Sequence, residues 1–232
     1  MRPDDLLRIR ELPLFRSMGQ ESFEGLTNAA YLQHFPPQVE LIHEGDPADF
    51  LYIVVEGAVE LFAKSNGREA SMAIVKPVGT FILAAVLKDA VYLMSARTTK
   101  KSRVLMIPSE NIRTIFKQDD TFARAIVLEL ASCYRAIVKD HKSLKLRSGV
   151  ERLANRLIRY RSDQNSTGSI ELPYDKRTLA SLMGMTPENL SRAFKTLKPY
   201  GVKVEGSRIH MEDMESLEKL AKVNPLIDDR HT

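Results

Sequence analysis

The sequence predicts an α+β chain in three parts: a small antiparallel β domain, a long helix, and a C-terminal winged helix-turn-helix. Three observations predict it. Residues 31–108 are short runs rich in Val, Ile, Tyr and Phe, punctuated by turn residues. The stretch "DDTFARAIVLELASCYRAIVKDHKSLKL" runs without Gly or Pro. Residues 175–211 hold two short capped helical patterns and then a hairpin pattern. The boundaries expected from these changes of texture are 1–120, 121–145 and 146–232.

Residues 1–30 carry "DDLLRIRELPLF" and "ESFEGLTNAAYLQ", with apolar residues at helical spacing. Next come "VELIHEGD", "FLYIVVEGAVELFAK", "SMAIVKPVG" and "SRVLMIP", separated by Gly45-Asp46, Gly57, Asn66-Gly67 and Gly79. This is the grammar of a small antiparallel barrel or sandwich, and Asn66-Gly67 is a strong hairpin signal because both residues tolerate positive φ. Ser109, after Pro108, is a candidate N-cap. In the long helix, Ala123, Ile126, Leu130, Cys133, Ile137, Asp140 and Leu144 recur in steps of 3 and 4, a heptad seam. A homodimer through Ile126, Leu130, Cys133, Ile137 and Leu144 is expected. The competing reading is a helix lying on its own barrel. Val127, Leu128 and Tyr134 fall off the seam, so a helix used on two sides accounts for both sets.

"GVERLANRLIRY" is amphipathic, with Leu153, Leu157 and Tyr160 on one side. After the polar "DQNSTGS" and the short strand "IELP", Asp175 caps one helix and Gly184 ends it. Thr186 caps a second, with Pro187 in its first turn, and Gly201 closes that. Two short helices around a Gly-containing turn make a helix-turn-helix. "VKVEGSRIHM" reads as a wing turning at Gly206-Ser207.

Charge supports this division. Residues 145–211 hold thirteen Lys/Arg against six Asp/Glu, a balance of +7, which leaves −3 of the net +4 for the rest of the chain. A basic end on a mildly acidic body points to nucleic acid binding confined to that end; a solvated face of clustered charge is the alternative. No apolar run reaches the ~18–20 residues of a membrane span, and no secretory h-region is visible, so no membrane association and a cytosolic location are expected. The single cysteine, Cys133, rules out an internal disulfide and leaves no ligand set for an iron–sulfur cluster or a zinc site. Phosphate-loop, nucleophile-elbow and HExxH patterns are absent from the sequence, so an enzyme has nothing in its favour. A ligand-binding regulatory module acting without DNA is the remaining alternative class.

On the second helix, Leu190, Ala193, Phe194 and Leu197 form the buried face. Thr186, Glu188, Asn189, Ser191, Arg192 and Lys195 are the candidate DNA-contacting residues. Arg can donate twice to guanine O6 and N7, and Glu can accept from cytosine N4. Glu188 and Arg192 are also i,i+4 neighbours, so a plain surface salt bridge is the competing reading. Here the chain resembles the Crp/Fnr transcription regulators. The resemblance runs from "LPLF" through "EGDPADFLYIVVEGAVELF", "NGRE", "ARTTKKSRVLMIP" and "ERLANRL" to the winged helix-turn-helix. It implies a cyclic-nucleotide-binding-like β-roll (a jelly roll), a dimerisation helix, a DNA reader, and double-stranded DNA and RNA polymerase as partners. Glu188, Ser191 and Arg192 match the E-x-x-S-R set of Fnr-like members, which read a TTGA-type half-site. The Arg that cyclic-AMP-responsive members place before the Glu is Pro187 here.

The sensor end departs from the well-known patterns. The N-terminal region has no cysteines for a cluster. "VGTFILAAVL" lacks the Gly-Glu of cyclic-AMP members, and their Arg-Ser pair falls near Tyr92-Leu93, so a cyclic phosphate would lack its guanidinium. Cyclic AMP is therefore not expected. The apolar residues from 81 to 94, Phe81, Leu83, Leu87, Tyr92 and Leu93 among them, either fill the barrel or line a pocket for an apolar or planar effector such as haem. His34, His43, His141, His210 and His231 show no ligand spacing, and Cys133 reads as core.

Overall fold

A computed structural model describes residues 3–229. The chain divides into two compact units, one ending at Cys133 and the other beginning at Tyr134. The division falls inside the long helix rather than at either end of it.

The first unit opens with α1 (Pro3–Arg10) and α2 (Gln20–Ala29). Its strands are β1 (Tyr31–Phe35), β2 (Glu40–Ile42), β3 (Phe50–Glu56), β4 (Val59–Ser65), β5 (Arg68–Val75), β6 (Thr80–Phe81), β7 (Ser95–Thr98) and β8 (Ser102–Pro108). The short α3 (Leu83–Lys88) lies between β6 and β7, and α4 (Ser109–Gln118) follows β8. The strands form two antiparallel four-stranded sheets in the orders β1-β8-β3-β6 and β2-β7-β4-β5. Leu51 pairs with Ile107 and Ile53 with Leu105, four residues that are all fully buried. Asn66 and Gly67 turn the β4–β5 hairpin with φ of 51° and 72°, the left-handed pair expected of that dipeptide. At Gly57, φ is 94° and a Cβ would fall 2.2 Å from the Ser102 hydroxyl, so a side chain there would displace β8.

Two local expectations change. Tyr31–Phe35 is a strand, although "AAYLQ" reads as the end of a helix; α2 stops at Ala29, and β1 pairs with β8. Ser109 does not cap α4. Pro108, at φ −55°, takes the N-cap position, and the buried Ser109 hydroxyl donates to the Ala48 carbonyl instead.

The long helix α5 runs Asp120–Leu146. Asp119 starts it, its carboxylate accepting from the backbone N–H of Phe122 at 2.9 Å and of Gly19 at 2.9 Å. Burial pushes this carboxyl up, but those bonds and those of the Thr121 and Ser22 hydroxyls outweigh it and hold the group well below the usual range. Phe122 stacks on Phe15 at 6.2 Å. Phe122 and Ile126 are fully buried in the core of the first unit, and Leu130 packs at its edge. The expected seam is corrected here: Ile126 is covered by its own chain and cannot face a partner. Further along α5, Cys133 is exposed rather than core, and Ile137 and Leu144 are exposed, as are Val127, Leu128, Tyr134 and Val138. A heptad pattern reports an apolar stripe but not what covers it.

The second unit contains α6 (Gly149–Asp163), β9 (Ser169–Glu171), α7 (Lys176–Leu182) and α8 (Pro187–Leu197). A 3-10 turn (Lys198–Tyr200), β10 (Val202–Glu205), β11 (Arg208–Met211), α9 (Met214–Ala221) and α10 (Pro225–Asp228) complete it. The sheet order is β10-β11-β9. Leu153, Leu157 and Tyr160 of α6 enter a core shared with Leu179, Leu190, Phe194, Ile209 and Leu217. Ser148 opens α6 with a capping box: its hydroxyl accepts from the Glu151 N–H at 3.2 Å, and its N–H donates to the Glu151 carboxylate at 2.7 Å.

Candidate nucleic-acid interface

Two caps orient the helix pair. The Asp175 carboxylate accepts from the Thr178 N–H at 2.8 Å, and the Thr186 hydroxyl from the Asn189 N–H at 3.2 Å. Between them Gly184 takes φ 61°, a turn residue L side chains rarely supply. The caps fix the rotation of α8. Leu190, Ala193, Phe194 and Leu197 are buried, while Thr186, Glu188, Asn189, Ser191, Arg192 and Lys195 are all exposed.

The electrostatics of this face differ from those of the wing. On β10 and β11 the basic side chains are met by carboxylates: Lys203 by Glu212 at 2.7 Å, Arg208 by Glu171 at 3.9 Å, the His210 ring by Glu205 at 3.2 Å. Among the described residues, Arg192, Lys195, Lys176 and Arg177 take part in no ion pair. The expected Glu188–Arg192 pair is therefore not closed. The Glu188 carboxyl is held below its usual range by its own backbone N–H and then by the Thr186 hydroxyl, with the Arg192 charge adding to the effect. An ionised carboxylate and an unpaired guanidinium thus project side by side from the first turns of one exposed helix. That arrangement can accept from one base and donate to another.

The segment 81–94 is packed. Phe81, Leu83, Val86 and Tyr92 belong to the core of the first unit, with Leu87 at its margin. Phe81 stacks on Tyr52 at 5.3 Å. The Tyr92 hydroxyl lies 3.2 Å from the Phe50 carbonyl, to which it donates. Because Tyr92 points inward, its neighbour points out: Leu93 is 77% exposed, and its expected place in a pocket is corrected. The segment 81–94 carries no arginine of its own. Leu83 is spent on packing, and Tyr92 on packing and a backbone hydrogen bond. Arg113 reaches this segment from α4, but its guanidinium is held by Asp89 at 2.9 Å and the Val86 carbonyl at 3.1 Å. His34 and His43 are exposed, and His43 is bound to Glu40 at 3.0 Å, so neither imidazole is placed as an axial ligand inside the roll. His141 is exposed, and His231 lies outside the described residues.

Residues 32–119 match the cyclic nucleotide-binding domain family and residues 151–220 the Crp-like helix-turn-helix domain family. The chain is 22% identical over 215 residues to a CRP-like cAMP-activated global transcriptional regulator of Mycobacterium tuberculosis, covering 90% of this chain and 96% of that protein. Its fold is that of FixK2 from Bradyrhizobium japonicum (TM-score 0.71, 23% identity, 84% of this chain and 98% of the other). It is also that of a CRP-family transcriptional regulator from Thermus thermophilus (TM-score 0.65, 18% identity, 82% and 97%).

Proposed function

The chain belongs to the Crp/Fnr transcription regulators, with a cyclic nucleotide-binding-type domain and a Crp-like DNA-binding domain, and on that premise we propose that it reads a palindrome of TTGA-like half-sites as a homodimer. The exposed row Glu188, Ser191, Arg192, which forms no ion pair among the described residues, carries this reading. Arg192 donates to a guanine, Glu188 accepts from the paired cytosine, and Thr186, Asn189 and Lys195 supply further polar and phosphate contacts. The dimer face is the exposed side of α5, with Val127, Ala131, Tyr134 and Val138 in steps of 4, 3 and 4 and with Ile137 and Leu144 flanking them. This face is turned from the row first expected, because Ile126 and Leu130 are taken by the chain's own core.

The first domain acts here without a cyclic nucleotide. The segment 81–94 carries no Arg, and its Phe81, Leu83, Val86 and Tyr92 are packed into the core. Any effector that acts through it meets a neutral, apolar interior. Gel shifts at two salt concentrations, with a TTGA palindrome and a scrambled control, test the reading. Wild-type protein should prefer the palindrome and weaken steeply with salt. Loss of affinity in Arg192→Ala that is equal on all sequences would make this residue a phosphate contact only.

A further inference from the structure

The last turn of α5, the first turn of α6, the turn between α7 and α8, and the C-terminal segment 222–229 are tied together through two arginines. Arg147 stands between α5 and α6, its side chain 6% exposed. Its guanidinium grips Asp228 bidentately at 2.7 and 2.6 Å and also donates to the Lys222 carbonyl at 3.3 Å. Asp228 accepts from the Asn224 N–H at 2.7 Å as well. Lys139 of α5 donates to the Asp229 carbonyl at 2.6 Å, so the C-terminal segment lies against that helix. The Arg147 carbonyl in turn accepts from Arg152 at 2.8 Å, and Arg152 Nε reaches the Met183 carbonyl at 3.2 Å. Met183 is the C-cap of α7, three residues before Thr186, the N-cap of α8. Packing follows the same route: a Cβ at Gly184 would lie 3.1 Å from Leu144, and one at Gly149 would lie 3.3 Å from Met185.

We propose that Arg152 and the Arg147–Asp228 pair are positioning residues that set the angle of the recognition helix α8 to the last turn of α5. In this way they set the half-site separation the dimer accepts; this second part rests on the dimeric DNA reading above. Two features favour orientation over simple stability. A partly buried ion pair such as Arg147–Asp228 is a weak source of stability but, when bidentate, fixes a plane and a direction. Arg152 spends its guanidinium on two backbone carbonyls from different elements, which an apolar contact could not join.

The test uses the full chain, wild type beside Asp228→Ala and Arg152→Met. In the absence of DNA, amide exchange followed by mass spectrometry should show residues 183–189 exchanging about tenfold faster in both variants, the effect of losing one charge-assisted hydrogen bond. Exchange in β9, β10 and β11 should stay as in wild type. On DNA, palindromes with the half-sites moved apart or together by one or two base pairs should discriminate strongly in wild type. They should discriminate weakly in the variants, while affinity for a single half-site is unchanged. Unaltered exchange at 183–189 overturns the proposal whatever the DNA shows, and so does faster exchange across the whole unit. Equal losses on single and paired half-sites overturn it too. If wild type binds no palindrome, the DNA reading falls while the exchange result still decides the positioning role.

Discussion

Ile137→Lys should turn a dimer into a folded monomer, whereas Ile126→Ala should weaken the fold itself. The two residues lie three steps apart on the expected seam, but Ile137 is 66% exposed in the single chain and Ile126 is fully buried. Covering most of an Ile side chain in an interface stabilises by about 1.5–3 kcal/mol, and the two-fold presents it twice, so about 3–6 kcal/mol is lost in the variant. At ~1.4 kcal/mol per tenfold, the dissociation constant rises by roughly two to four powers of ten, before counting repulsion between the two lysines. Ile126→Ala instead leaves a cavity under α5, at a cost of about 2–5 kcal/mol in unfolding free energy. Sedimentation velocity over a concentration series reads the first effect. Thermal unfolding at one fixed protein concentration reads the second, since melting of a dimer depends on concentration. An Ile137→Lys protein that still sediments as a dimer at low micromolar concentration would refute the assignment of the α5 face. So would an Ile126→Ala protein that melts like wild type but sediments as a monomer.

On DNA, Arg192→Ala should cost roughly 1–3 kcal/mol and relax preference at one guanine, while Lys195→Ala should weaken all sequences alike and lower the salt slope by about one; competition binding at several salt concentrations separates the two. Millimolar cyclic AMP should change neither melting temperature nor DNA affinity, because a ligand shifts an equilibrium only by its differential affinity for the two states; a clear upward shift in melting would show a cradle that the packing of Leu83 and Tyr92 denies. Leu93→Ala should be nearly silent in unfolding, within about 0.5 kcal/mol, against about 3–5 kcal/mol for Phe81→Ala. Glu151 is held at about 2 by Lys222 and the Ser148 N–H; its folded value is depressed, so its contribution to stability is present above the ordinary Glu value and lost as pH falls towards 2. Acid unfolding followed by circular dichroism should therefore be less pH-dependent in that window for Glu151→Gln, and an identical acid limb would remove the capping box as the cause.

Much of the reader domain is legible in sequence because its determinants are local. Asp175, Thr186 and Pro187 mark helix starts by satisfying or avoiding N–H groups within three residues, and the structure uses them so. The buried face Leu190, Ala193, Phe194, Leu197 follows from helical period alone. The hairpin at Asn66-Gly67 is likewise a matter of two φ angles. What stays hidden depends on distant partners. The strand β1 is five residues long, and its pairing with β8 is some seventy residues away in the chain. The choice between Ile126 and Val127 as the inner side of α5 is made by Phe15 and the β-roll core, which no periodicity reveals. Leu93 looks like Leu83 in composition, but it follows an inward Tyr92 whose hydroxyl is anchored on Phe50. The Arg147–Asp228 pair spans 81 positions and leaves no short motif.

The packing of α5 on its own β-roll, with the dimer face proposed on its other side, has a mechanical consequence within the first unit. Its beginning is a structural member of the β-roll: Phe122 and Ile126 are buried in that core, and Glu129 accepts from the Thr80 hydroxyl at 2.8 Å. Thr80 opens the same short segment, β6 and α3, that supplies Phe81 and Leu83 to the core. A change of packing at 81–88 therefore reaches α5 through one hydrogen bond and a shared apolar cluster. The exposed residues Val127 and Leu128 sit on the very turns so constrained. An effector acting by the proposed route would need no phosphate. It needs only to bind more tightly to one of two packings of this cluster than to the other, and coupling of about 1–3 kcal/mol is what such differences ordinarily supply. Thr80→Val removes the hydrogen bond at nearly constant volume and leaves the Glu129 carboxylate half-buried without its donor. It should loosen the start of α5 without emptying the core. If dimer affinity and amide exchange in 126–133 both stay at wild-type values in Thr80→Val, the bond does not hold α5 to the segment, and the route from the β-roll to the dimer face runs through the apolar contacts of Phe122 and Ile126 alone.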